Sequence, residues 1–165
     1  KTMPLGDGGM VVSKDAEFLR WVEEFRNYGK EVIDGNVYYR MQNGFNFRLS
    51  EFSAALGIVQ MERLPKILEW KRKLAEKYNQ IFENHVKFPK GMESGYYKYI
   101  VFDTKLKQWT GQVFGPRDLG HRIAGVEADV PNSEWVVLHH QCAPIYFGYE
   151  NADSSVDELR KILLE

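Results

Sequence analysis

The chain has 165 residues, 44% of them hydrophobic and 14% aromatic, which is enough for one domain with a core, or one domain and part of another. Its 22 basic and 23 acidic residues give a net charge of −1, which argues against nucleic-acid binding because that function requires a basic excess. The single cysteine, Cys142, excludes an internal disulfide and favours a reducing cytoplasm.

No membrane-spanning or secretory segment is expected from the sequence. No stretch approaches the roughly 20 apolar residues that cross a bilayer, and no apolar core of a signal peptide follows Lys1. Because the sequence begins with Lys-Thr-Met-Pro, we expect the chain to be a fragment or a processed piece.

The first 50 residues predict a turn, a strand, a helix and a loop. The Gly-Asp-Gly-Gly sequence at 6–9 is typical of a tight turn and leads into a short apolar strand at 10–12. Apolar residues at helical spacing predict a helix over 15–27. The aromatic and glycine-rich segment 30–47 is predicted to be an ordered loop.

A pair of helices is predicted next. Ser50 is a suitable N-cap for a helix over 51–64, and Pro65 is expected to end or kink it at Leu64. A longer helix is predicted over 65–84. One of its faces is basic and is interpreted as a solvated surface: Lys66, Lys71, Arg72, Lys73 and Lys77.

The remaining residues alternate between strands and helices. Aromatic and β-branched residues predict strands over 96–103 and 135–138, and Pro116 favours a helix that ends near Gly125. Ser155 and Glu158 form a capping box for a terminal helix over 155–164.

The common catalytic constellations are not predicted. The four histidines include the adjacent pair His139 and His140, which on a strand would point to opposite faces, so no metal site is expected. The glycine turn at 6–9 lacks the Lys-Ser/Thr of a phosphate loop, which argues against nucleoside triphosphate binding.

Two blocks carry a family resemblance. The first is Lys1 followed after four residues by Gly-Asp-Gly-Gly. The second is Gly-Phe-Asn-Phe-Arg-Leu-Ser-Glu at 44–51, with Ala-Ala-Leu-Gly at 54–57, and Arg26-x-x-Gly29 lies between the blocks. In order and spacing over residues 1–85 they resemble the DegT/DnrJ/EryC1/StrS aminotransferases. Pro4, Leu5 and Asp7 depart from the residues common in that family.

The resemblance implies an α+β chain. Residues 1–49 would form the end of the large cofactor-binding domain of a fold type I pyridoxal-phosphate transferase, including an active-site loop. Residues 50–165 would form a linking helix and the small C-terminal domain, with long helices and a short antiparallel sheet.

The resemblance also implies a function and its residues. The family uses pyridoxal 5′-phosphate to move an amino group, typically from glutamate, onto a nucleotide-linked ketosugar for amino-sugar, cell-surface polysaccharide or antibiotic-sugar biosynthesis. Lys1 would carry the cofactor as a Schiff base and then move the proton during transfer. Asn46 would reach the cofactor phosphate of a partner subunit, which implies a homodimer with shared active sites. Tyr39 and Arg40 are weaker candidates for substrate contacts, and Arg48 is expected to pair with Glu51 or to help hold an anion.

The chain is interpreted either as part of an active aminotransferase or as a non-catalytic module, and both alternatives stay open at this point. The family's acidic partner for the pyridine nitrogen and its phosphate-binding hydroxyls would lie upstream of Lys1, so the isolated chain is expected to be inactive. The chain could instead be a non-catalytic dimerisation or binding module with aminotransferase ancestry. Retention of Lys1 and Asn46 favours the enzyme, and Lys1 argues against the dehydratases that carry histidine at this position.

Overall fold

The computed structural model describes residues 1–165, which form two compact units. The N-terminal unit comprises Met3–Glu62, and the C-terminal unit comprises Lys1–Thr2 together with Arg63–Glu165. Each unit combines helices with a two-stranded antiparallel sheet, as predicted for an α+β chain. The division into domains at residue 50 stays a prediction.

The N-terminal unit begins with a capped helix and a hairpin. Helix α1 (Ala16–Arg26) starts where the Asp15 carboxylate accepts two backbone hydrogen bonds of 3.0 Å, and its bounds agree with the prediction. Strands β1 (Lys30–Ile33) and β2 (Asn36–Tyr39) then pair antiparallel. The turn between them is Asp34-Gly35, both at positive φ.

Two predictions for this unit are wrong. The expected loop over 30–47 contains the β1–β2 hairpin, because its Asp-Gly pair supplies the turn and its apolar residues pair across the strands. Residues 10–12 form no strand: their side chains are exposed and their backbone joins no ladder.

The long helix α2 (Glu51–Ile81) is continuous through Pro65, so the prediction that a helix ends at Leu64 is wrong, whereas a kink there stays a prediction. Proline inside a helix costs on the order of 3 kcal/mol, through a lost hydrogen bond and a steric clash. Burial of Ile67, Leu74 and Tyr78 beyond it offsets that cost. No helix of the chain combines the length and apolar character that crossing a bilayer requires.

The sheet of the C-terminal unit pairs β3 (Tyr99–Phe102) with β4 (His140–Ala143). The strand predicted at 135–138 is instead part of helix α4 (Pro131–His139). Four apolar residues are too few to distinguish the periodicity of a helix from that of a strand. The residues that favour a helix lie before them: Pro131 and Glu134, in the first turn of α4.

The remaining helices follow their local signals. The helix predicted from Pro116 is a short 3₁₀ turn (Pro116–Asp118) and helix α3 (Gly120–Ala124), which ends at Gly125 in the left-handed conformation, as expected. Helix α5 (Val156–Leu164) begins with the predicted capping box, in which the Ser155 hydroxyl accepts from the Glu158 amide at 3.2 Å.

The core of the C-terminal unit lies between α2, the β3–β4 sheet and α5. Tyr78 is fully buried, and its hydroxyl donates to the carbonyl oxygen of Pro144 at 2.6 Å. The residues that share this core with it include Leu74, Ala75, Phe82, Tyr99, Val101, Ile145, Leu159 and Leu163.

This packing predicts that Leu159→Ala destabilises the protein by roughly 2–5 kcal/mol, because it leaves a cavity in a closed core. Leu159 is 0% exposed. Leu138→Ala removes the same atoms from a side chain that is 73% exposed and should change the free energy of unfolding by less than about 0.5 kcal/mol. Urea unfolding followed by circular dichroism measures the free energy of unfolding of each variant. Equal losses of stability in the two variants would contradict this description of the core.

Candidate functional site

Lys1 lies at a pocket of the C-terminal unit that contains three lysines. The pocket has a volume of about 190 Å³. Its lining consists of Lys1, Lys71, Tyr97, Lys98, Thr110, Ile145 and Tyr146. The Lys1 side chain is exposed, Lys98 is half-buried and Lys71 is only 2% exposed. The lining therefore combines three amines with two phenol rings and includes no carboxylate.

Lys71, on α2, holds the residue next to Lys1 in place. Its Nζ donates to the carbonyl oxygen of Tyr96 at 2.8 Å and to Oγ1 of Thr2 at 3.2 Å. The Thr2 hydroxyl in turn donates to the carbonyl oxygen of Gly95 at 3.0 Å. These partners are all uncharged, and burial lowers the pKa of the Lys71 ammonium because a dry environment disfavours its charged form.

Lys98 is fixed by the sheet of the same unit. It directly precedes β3, and its Nζ donates to the carbonyl oxygen of Thr110 at 2.9 Å. The backbone amide of Thr110 donates to the carbonyl oxygen of Cys142 in β4, also at 2.9 Å. The amine also lies 5.7 Å from the centre of the Tyr97 ring. Backbone contacts therefore hold the second pocket amine in place.

Asn46 lies in the N-terminal unit, in a segment that is hydrogen-bonded to the end of α1. The backbone amides on either side of it, those of Phe45 and Phe47, donate to the carbonyl oxygens of Phe25 at 2.7 Å and Arg26 at 2.9 Å. The Phe45 and Phe47 rings stack at 5.5 Å, and both contact the Phe25 ring. The asparagine is thus held between two packed aromatic residues.

A close backbone crossing explains the glycine at the start of this segment. A Cβ atom on Gly44 would lie 1.9 Å from the backbone nitrogen of Gly29, and one on Gly29 would lie 2.2 Å from the carbonyl oxygen of Met41. Gly29 also has a φ of +73°. Only glycine fits at either position, so the crossing fixes where Asn46 is presented.

Arg48 contacts Asn46 and forms no ion pair with Glu51, contrary to one sequence-based expectation. Its Nε donates to Oδ1 of Asn46 at 3.0 Å, and its guanidinium lies 5.2 Å from the centre of the Tyr28 ring. This contact uses the amide oxygen of Asn46 and leaves its NH₂ group as a donor. Arg48 also lines a pocket of about 560 Å³ with Asp7, Gly8, Gly9, Phe47, Leu49, Ser50 and Ser53.

Tyr39 and Arg40 lie at the end of the hairpin in the same unit as Asn46. Nε of Arg40 donates to Oε2 of Glu31 at 2.8 Å, and the Arg40 guanidinium lies 5.2 Å from the centre of the Tyr38 ring. Tyr39 is 72% exposed, and the amine of Lys30 lies 5.3 Å from its ring centre. Arg40 therefore has a partner within the chain, whereas the Tyr39 ring faces solvent.

The sequence-predicted site residues are thus divided between the two units. Asn46, Tyr39 and Arg40 lie in the N-terminal unit, and Lys1 lies in the C-terminal unit. The sequence interpretation missed Lys71, which it placed on a solvated face. Lys71 is four residues after Ile67 and three before Leu74, so its position on the apolar stripe of α2 was a signal that it is buried. Lys98 gave no comparable signal.

The groups present fit pyridoxal phosphate. Lys1 offers an exposed primary amine at a pocket, which can condense with an aldehyde, and Asn46 offers amide N–H donors for a phosphate oxygen. No group of three or more histidine, cysteine, aspartate or glutamate side chains is placed to hold a metal ion.

Comparison with solved structures shows the same fold. The chain matches the sugar aminotransferase CalS13 from Micromonospora echinospora with a TM-score of 0.76 and 20% identity, over 98% of this chain and 49% of that one. It matches the PLP-form of the putative sugar aminotransferase Spr1654 from Streptococcus pneumoniae with a TM-score of 0.62 and 15% identity, over 93% of this chain and 45% of that one. The chain thus spans about half the length of these structures.

Curated relatives match about half of the chain. The GDP-perosamine synthase of Vibrio cholerae is 37% identical over 78 residues, which are 47% of this chain and 21% of that protein. The UDP-4-amino-4,6-dideoxy-N-acetyl-beta-L-altrosamine transaminase of Helicobacter pylori is 32% identical over 91 residues, 53% of this chain and 24% of that protein. Both matches span less than a quarter of the relative.

The family model that matches covers residues 1–108, which include Lys1, the glycine crossing, Asn46 and the buried Lys71. That range is well over half of the 165 residues. The chain belongs to the DegT/DnrJ/EryC1/StrS aminotransferase family.

Proposed function

We propose that the chain is part of a pyridoxal-phosphate-dependent aminotransferase that moves an amino group from an amino-acid donor, glutamate, to a nucleotide-linked ketosugar. The observation that carries the proposal is the place of Lys1, an exposed amine at a pocket, at the head of a segment that matches the family model. The two relatives described above carry GDP- and UDP-linked sugars in their names, which supports this substrate class.

Lys1 has two tasks in this proposal. Its amine would hold the cofactor covalently. Once released, it would take the proton from Cα of the amino-acid donor and, in the second half of the reaction, would deliver a proton to the sugar carbon that receives the nitrogen. The cofactor, when bound, supplies an electron sink for the carbon that loses this proton. Thr2, which Lys71 and Gly95 fix by hydrogen bonds, keeps the backbone next to Lys1 in place while the side chain moves.

Asn46 is the second cofactor residue in this proposal. Its NH₂ group donates to a phosphate oxygen of the cofactor that is bound by a partner subunit, while Arg48 holds its carbonyl oxygen. The active form is therefore a homodimer with shared sites. Large exposed apolar side chains in the N-terminal unit, among them Phe52 at 92% and Ile58 at 65% exposure, support burial of this unit against further protein.

Substrate contacts are assigned to Tyr39 and Arg40. The exposed Tyr39 ring provides a surface on which a base or a sugar can stack, and Arg40 provides a positive charge for a diphosphate. The free, buried thiol of Cys142 is compatible with a reducing compartment, and we place the enzyme in the cytoplasm.

Lys1→Arg should abolish covalent attachment of the cofactor and amino transfer, because a guanidinium keeps the charge but does not form the imine. The measurement uses the natural polypeptide that carries these residues. It is incubated with pyridoxal phosphate, reduced with borohydride and mapped by mass spectrometry, with turnover of a nucleotide-linked 4-ketosugar and glutamate assayed in parallel. Lys14→Arg, which changes an exposed lysine, is the control and should keep both cofactor attachment and amino transfer. Wild-type turnover by Lys1→Arg would contradict the assignment.

Asn46→Ala should weaken cofactor binding roughly 10- to 100-fold, the effect of losing one hydrogen bond to a charged group. The dissociation constant of pyridoxal phosphate, titrated by absorbance, provides the measurement. Asn43→Ala, on an exposed residue of the same loop, should change the constant by less than about twofold. If both variants bind the cofactor like wild type, Asn46 is not a phosphate ligand.

The 165-residue chain by itself should not turn over substrate. It spans about half the length of the solved structures it matches, and the Lys1 pocket includes no carboxylate to pair with the pyridine nitrogen. Steady-state assay of the isolated chain with cofactor, glutamate and ketosugar should give only the background rate. Stoichiometric labelling of Lys1 together with turnover would overturn this expectation.

A further inference from the structure

The Lys1 pocket brings together positive groups that the aminotransfer chemistry alone does not require. Amino transfer as proposed uses one lysine amine, yet Lys71 and Lys98 line the same pocket of about 190 Å³. One carboxylate, that of Glu150, accepts a hydrogen bond of 3.0 Å from the Tyr146 hydroxyl, but it is not part of the lining. The pocket therefore has a concentrated positive charge.

Lys71 is the more unusual of the two additional amines. It is 98% buried and has no acidic partner, although burying an unpaired ammonium is costly. An ammonium has three N–H donors, and Lys71 uses two of them on the neutral oxygens of Thr2 and Tyr96. An anion in the pocket would accept the third and would compensate the buried charge. The lowered pKa of Lys71 is consistent with this uncompensated position.

Lys98 adds a second amine whose position is fixed. Its contact with the Thr110 carbonyl uses one donor, and Thr110 is itself a lining residue of the pocket. The volume of the pocket is below the roughly 300–1,000 Å³ of sites that enclose a drug-sized molecule. The pocket therefore suits one charged group of a ligand and not a whole nucleotide sugar.

We propose that this pocket binds an oxyanion through the ammonium groups of Lys71 and Lys98 and holds it beside Lys1. The identity of the ligand rests on the proposed function, which offers two sources of this chemistry. One is the diphosphate of the nucleotide-linked sugar, and the other is a carboxylate of the amino-acid donor. In either case the pocket anchors the substrate by its charge next to the amine that acts on it.

The test titrates the natural polypeptide that carries these residues, freed of pyridoxal phosphate, with inorganic pyrophosphate and separately with glutarate, by isothermal calorimetry. At least one of these anions should bind saturably at one site. Lys98→Gln should weaken that binding roughly tenfold or more, because it removes a charge-assisted hydrogen bond. Lys66→Gln makes the same change in net charge at an exposed position outside the pocket and should alter the affinity by less than about twofold.

The two probes distinguish the sources, and the outcomes are separate from those of the function test. Tighter binding of pyrophosphate assigns the pocket to a phosphate group, and tighter binding of glutarate assigns it to a carboxylate. Absence of saturable binding of both, or equal losses in Lys98→Gln and Lys66→Gln, would overturn the inference. If the anion binds but Lys1 is never labelled, the proposed function fails alone. If Lys1 is labelled and the enzyme turns over without such binding, only the pocket assignment fails.

Discussion

The buried ammonium of Lys71 is the interaction on which the Lys1 site depends. It joins α2 to the backbone at Tyr96 and to the hydroxyl of Thr2, and Thr2 is covalently next to Lys1. Because Lys71 lies among the apolar residues of α2, its position is set by the core that Leu74 and Tyr78 form. The core of the C-terminal unit thus fixes the backbone from which the Lys1 amine extends, and leaves that amine exposed.

The fold could be predicted where its signals are local. Helices α1 and α5 were expected with nearly correct bounds, because a capping side chain and a helical apolar period mark each start. The predictions of secondary structure failed where tertiary contacts determine whether a segment is a helix, a strand or a loop. Burial on α2 outweighs the local cost of Pro65, and the apolar residues at 135–138 could belong to a helix or a strand until their neighbours are known. The hairpin was missed because aromatic residues and glycines in its surroundings indicated a loop.

The candidate site could be predicted only in part. Two short blocks at a family's spacing point to Lys1 and Asn46, whose roles stay predictions. The structure adds why the second block needs its glycine: the backbone at Gly44 passes too close to Gly29 for any side chain. Lys71 was overlooked because a lysine on a basic face was assumed to be solvated. The spacing of Lys71 from Ile67 and Leu74 indicates burial, but whether an acidic partner accompanies the buried amine depends on the assembled fold.

A crystal structure of the natural polypeptide grown with pyridoxal phosphate would test whether Lys1 is the residue that carries the cofactor. We expect continuous electron density between Nζ of Lys1 and C4′ of the cofactor, with the amines of Lys71 and Lys98 unmodified nearby. Cofactor density joined to a different lysine, or a cofactor bound away from Lys1, would contradict this role of Lys1.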